Sequence, residues 1–165
     1  MNLFLNDNKA VIGMPIYLLI AIFIAGIIIG SFIISINSSI KNSQTDIVRH
    51  EIEKIISEAE NMFEYADEGT LVTVSVDFSK SMKFAVFGSM PQNGVLRPTN
   101  FNLDEKVSNN YYFVMKDGTI SSFSSNARFS SYDITKIAFF GPGTYDLSLK
   151  LEYDFIGGKT YVKIF

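Results

Sequence analysis

No charged residue occurs between Lys9 and Lys41, an interval of 31 positions in a chain of 165. Inside it, the 21 residues from Ile16 to Ile36 are nearly all Ile, Leu, Phe, Ala or Gly. As a helix rising about 1.5 Å per residue, this run spans roughly 30 Å, the thickness of a bilayer's hydrocarbon core. A cleaved secretory signal carries a shorter apolar region, about 7–15 residues, and ends at a small-x-small site. This run is longer and leaves through "SINSSIKNSQ", so the segment is expected to stay in the mature protein. Pro15 stands where the helix begins, a position that tolerates its missing N–H. Gly26 and Gly30 form a small-xxx-small pair, "GIIIG", a candidate site of close helix packing. Lys9 is offset by Asp7, while Lys41 and Arg49 follow the run; this margin selects no orientation. The sequon Asn37-Ser38-Ser39 abuts the apolar run, which limits access to it.

The pattern changes after the run. Val48, Ile52, Ile55, Ala59, Met62 and Ala66 recur in steps of four and three, and Ile56 and Phe63 widen the stripe. That spacing predicts an amphipathic helix, with Gly69 as a stop signal. The stripe is broad for a coiled-coil seam and suits packing on the domain that follows. Between the two helical stretches, "NSSIKNSQTD" has weak helix propensity and reads equally as a continuous helix or a kink.

From Gly69 onward, alternation and β-branched or aromatic residues predict about seven strands. They are "TLVTVSVDF", "MKFAVF", "YYFVM", "TISSF", "DITKIAFF", "TYDLSLKLEYDF" and "KTYVKIF". Lys116-Asp117-Gly118 marks a hairpin, and Gly141-Pro142-Gly143 and Gly157-Gly158 mark turns. The expected fold class is α+β: a transmembrane helix, an amphipathic helix, then a mostly antiparallel sandwich or partly closed barrel. "GSMPQNGVLRPTNFNLDEKVSNN" (88–110) lacks a strong strand pattern, apart from a candidate edge strand near Val95 and Leu96. As a long loop it is the first place to expect partner contacts.

Several function classes are disfavoured. The net charge of −3 offers no basic excess for a phosphate backbone, so nucleic acid is not an expected partner. Cysteine is absent, which removes disulfides and thiol chemistry. His50 is the only histidine and sits off the apolar stripe, so a zinc site would need carboxylates alone. No nucleophile elbow, phosphate loop, dinucleotide fingerprint or D-x-D-x-D-G calcium spacing is present. The expectation is a non-enzyme without cofactor, metal or evident small-molecule substrate. Residues 41–68 carry three basic and eight acidic side chains, a net of −5; residues 69–165 carry a net of +2.

The residues Lys9-Ala10-Val11-Ile12-Gly13-Met14-Pro15, followed by the apolar helix, resemble the amino terminus of archaeal type IV pilin-like proteins. The resemblance covers roughly residues 6–36. It implies a class III signal peptide cut by a prepilin peptidase between Ala10 and Val11, with Lys9 as the basic residue before the cut. It further implies a β-rich head and self-association, or association with other pilin-like subunits. On this reading residues 1–10 are the leader and 11–40 the transmembrane helix. Residues 41–68 are an amphipathic helix or stalk, and 69–165 an all-β head. The implied place is the cell membrane as a single-pass protein, with the β domain outside the cell, or a cell-surface filament serving adhesion. The chain has Ile12-Gly13 where many members carry Ser-Pro. A second reading is therefore an uncleaved, membrane-anchored binding or stator-like accessory module that does not polymerise.

Overall fold

The computed structural model describes residues 8–92 and 97–165, and side chains from Ile16 onward. A single helix, α1 (Asn8–Tyr65), runs through the apolar and the amphipathic stretches. The chain divides into two units at Ser43 and Gln44. The weak propensity of "NSSIKNSQTD" does not interrupt the helix. Each poor helix former costs only tenths of a kcal/mol, roughly 0.5, while propagation adds one hydrogen bond per residue. The helix ends where Ala66 N–H donates to the Met62 carbonyl, and Gly69 follows with φ of 88°.

Eight strands follow: β1 (Leu71–Phe78), β2 (Met82–Phe87), β3 (Asn110–Met115), β4 (Ile120–Ser124), β5 (Phe129–Ser130), β6 (Ala138–Phe140), β7 (Gly143–Asp154) and β8 (Lys159–Ile164). They form two four-stranded sheets, ordered β1-β7-β8-β5 and β4-β3-β2-β6. The sheets do not close into a barrel, so the sandwich alternative describes the head. All pairings between named strands are antiparallel except β5 with β8.

Two departures from the predicted strands have local causes. "DITKIAFF" forms a strand only from Ala138, because the Asp133 carboxylate accepts from the Thr135 N–H and hydroxyl and holds residues 133–135 in a turn. The two residues of β5 are too short for any alternation to announce them.

One core joins the helix to both sheets. Val48, Ile52, Ile55, Ile56, Ala59 and Met62 of α1 pack with Val76, Phe78, Leu147, Leu149, Leu151, Val162 and Ile164 of the first sheet and with Met82, Ala85, Phe87, Phe113 and Met115 of the second. Phe87 is its aromatic hub, with ring centroids 5.8–6.1 Å from those of Phe129, Tyr111 and Phe140.

The second sheet is buried on its other face as well. Phe84, Val86, Tyr112, Val114 and Ile137 form a smaller core there, with Leu103 and Phe139 packed against it. This explains why "MKFAVF" and "YYFVM" read as nearly continuous apolar runs rather than alternating ones. The cover is the long connection between β2 and β3. Leu103 N–H donates to the Thr135 carbonyl, Ile137 N–H donates to the Phe101 carbonyl, and the Phe101 ring meets Phe139 edge-on at 5.7 Å. Arg97 lies over the same Phe139 ring. The candidate strand at Val95 and Leu96 lies outside the described residues.

Gly88 turns the chain into this strap with φ of 87°, and a Cβ there would stand 2.7 Å from the Phe129 carbonyl oxygen and 2.8 Å from Leu103 Cδ1. Gly118 shares the left-handed backbone (φ 90°) but faces open space. Gly118→Ala is expected to cost about 1–2 kcal/mol of backbone strain. Gly88→Ala adds overlap with the Phe129 backbone carbonyl and is expected to cost about 2 kcal/mol more. Denaturant midpoints of the detergent-solubilised full chain, followed by tyrosine near-ultraviolet signal, check the difference.

Candidate functional site

The largest unpartnered surface is the apolar half of α1. From Ile16 to Ile36 every residue is exposed except Gly30, which is partly covered. One window of 18 residues reaches a mean hydropathy of 2.8 with none of its area buried within the chain. By length and composition this helix is long and apolar enough to cross a membrane. A helix apolar all round is the pattern of a segment buried in a core or crossing a membrane. Among the described residues, a Cβ at Gly26 or Gly30 would meet no atom within 4 Å, so the notch of "GIIIG" is open there. Ser31 removes its polarity from this surface by donating its hydroxyl to the Ile27 carbonyl at 2.9 Å. Lys9, Ala10 and Val11 have helical backbone in α1, and their side chains lie outside the described residues, as does the whole of residues 1–7.

The amphipathic half of α1 serves the head instead. Its stripe residues Val48, Ile52, Ile55, Ala59 and Met62 are buried, and Phe63 is half-buried against the same core. Polar contacts fix the helix at both edges of this stripe. A carboxylate oxygen of Glu51 accepts from the Asp77 N–H of β1 at 3.1 Å, and the other accepts from the Lys54 ammonium at 2.6 Å. Glu60 accepts from the Ser125 hydroxyl and the Asn126 N–H just beyond β4. The Arg49 guanidinium sits 4.9 Å from the centroid of Phe123 on β4 while pairing with Glu53. β1 and β4 are edge strands of different sheets, so α1 touches one long edge of each. The other two edges, β5 and β6, are only two and three residues long, which gives them little capacity for strand addition.

On the outer face of the first sheet, Lys163 is buried with its ammonium 4.8 Å from the Tyr132 ring centroid and 3.2 Å from Glu152. The hydrogen bond from Lys150, with that from Lys163, holds the Glu152 carboxyl below its ordinary range. Burial pushes the Tyr112 hydroxyl up to about 12. Lys150, Glu152 and Lys163 pair on the first sheet, and Tyr112 is buried in the second. His50 is exposed, and among the described residues no group of three His, Asp or Glu side chains could hold a metal ion.

The 88–110 connection, expected from its sequence to carry partner contacts, has a structural task as the strap over Phe84, Val86 and Tyr112. The cleft it leaves beside Ser89, Gln92, Asn100 and Tyr112 measures about 20 Å³, room for about one water molecule. Sequence reasoning missed this cover because Phe101 and Leu103 are isolated apolar residues in a polar stretch. A signal for it was the double-faced apolar character of the strands beneath.

No protein-family model matches this chain, and comparison with curated proteins and with solved structures likewise gives no match.

Two outcomes follow from the helix contacts. Partial burial of Glu51 opposes ionisation, but the Lys54 ammonium and the Asp77 N–H outweigh it and hold the carboxyl below its usual 4.5. A carboxyl depressed in the folded state contributes stability that is complete above its unfolded pKa and is lost as pH falls through the folded value. Head stability therefore declines below that usual value. Glu51→Gln flattens part of the decline, read from unfolding midpoints between about pH 3 and about pH 6. In the apolar half, Ile28→Arg adds about 2.5–3.5 kcal/mol to insertion. It is expected to deplete the carbonate-resistant membrane fraction, whereas Ile28→Leu leaves that fraction unchanged.

Proposed function

We propose that this chain is a pilin-like structural subunit, trimmed between Ala10 and Val11 by a prepilin peptidase and assembled through its apolar helix. The observation that carries this reading is the uncharged surface of α1 from Ile16 to Ile36, exposed at every residue but Gly30 and joined to a β-rich head. Such a surface cannot stay in water, and other copies of the same helix offer the cover that lipid gives before assembly. The open notch at Gly26 and Gly30 supports close helix approach. The function so read is mechanical: the head is displayed outside the cell, and the helix is held in the membrane or in a filament core. It involves no cofactor, small-molecule substrate or nucleic acid.

Ile12-Gly13, in place of a Ser-Pro pair, favours a second reading, an uncleaved tether carrying a binding or accessory head. Intact mass and amino-terminal sequencing of the protein from its native membranes separate the two. A terminus at Val11-Ile12 is the expected result. A chain retaining residues 1–10 would overturn the subunit reading and leave the tethered module.

A further inference from the structure

Pro15 does not open α1. The helix starts at Asn8, so the proline stands inside it, beyond the first turn where a missing N–H is tolerated. Its position was expected at the helix start, and the structure corrects that expectation. In α-helical geometry each N–H donates to the carbonyl four residues earlier. Pro15 has no N–H to give to the Val11 carbonyl. Gly13, two positions before it, is the weakest helix former after proline. Pro15 is the sole proline of α1.

The turn before this break contains the Ala10–Val11 peptide. Of the carbonyls from Asn8 to Val11, the last lacks a helical donor. The other three depend on the N–H groups of Ile12, Gly13 and Met14. Breaking those three bonds therefore releases the peptide from the rest of the helix. The cost of opening changes sharply at the proline. Asn8 and Lys9 are polar, so groups freed in this turn are exchanged with water at the membrane surface. An opening carried past Ile16 would strand backbone groups in hydrocarbon.

We propose that Pro15, together with Gly13, makes the first turn of α1 open as a unit and so presents Ala10–Val11 to the peptidase. Both are positioning residues, since neither belongs to the bond that is cut. A protease acts on the opened backbone, and its rate follows the open population when closing is fast. Hydrolysis adds water across the amide, leaving a carboxylate on Ala10 and an amino group on Val11. The proposal rests on the subunit reading and adds to it the residues that set how fast the leader is removed.

The test follows loss of residues 1–10 from the full-length chain in native-host membranes, by mass, after a pulse of synthesis. Pro15→Ala restores the missing donor and is expected to slow trimming at least about tenfold. Gly13→Ala is expected to slow it about fivefold. The double variant Pro15→Ala with Ile16→Pro moves the break by one residue and is expected to recover to within about threefold of wild type. Amide exchange in detergent, without peptidase, is expected to slow about tenfold at Ile12, Gly13 and Met14 in Pro15→Ala. Unchanged exchange there, or wild-type trimming of Pro15→Ala, would overturn the proposal and leave the subunit reading standing. Trimming of the double variant as slow as that of Pro15→Ala would also overturn it, because the proline itself would then be what the peptidase recognises. If the wild-type chain keeps residues 1–10, the subunit reading falls and the proposal with it.

Discussion

The head depends on a stripe of six helix side chains, Val48, Ile52, Ile55, Ile56, Ala59 and Met62, set against the inner faces of two sheets. Full burial of a larger aliphatic side chain contributes about 1.5–3 kcal/mol. The stripe as a whole therefore rivals the roughly 5–15 kcal/mol net stability of a domain. The amphipathic half of α1 is thus a structural layer of the head. Without it, Leu147, Leu149 and Phe113 would face water. Glu51, Glu60 and Arg49 add little energy by comparison, but they set where along the two edge strands the helix rests.

The same economy governs the second sheet. β2 and β3 are apolar on both faces, which obliges something to cover the face turned away from the helix. The 88–110 connection does so with a few residues and a left-handed glycine.

Much of this was legible in the sequence. The stripe's four-three spacing announced the helix, and the runs at 71–78, 82–87 and 143–154 announced the long strands, because periodicity reports burial on one face. The shortest element was not legible: β5 exists because β8 offers it a backbone partner, and two residues carry no period of their own, while β6 is only the last part of the predicted "DITKIAFF" strand. The helical path through Asn37–Asp46 was likewise hidden, since local propensity there is weak and the outcome rests on propagation. The apolar segment was plain from its charge gap.

The pairing order of the first sheet has a consequence for the birth of the protein. β8 lies between β7 and β5, so this sheet has no continuous ladder until residues 159–164 have been made. The core it completes includes Val48, more than a hundred positions earlier. During synthesis, Ile16–Ile36 emerges while every inner face of the head is still unpaired. That interval, before β8 is made, is when the strands of the head are open to mispairing.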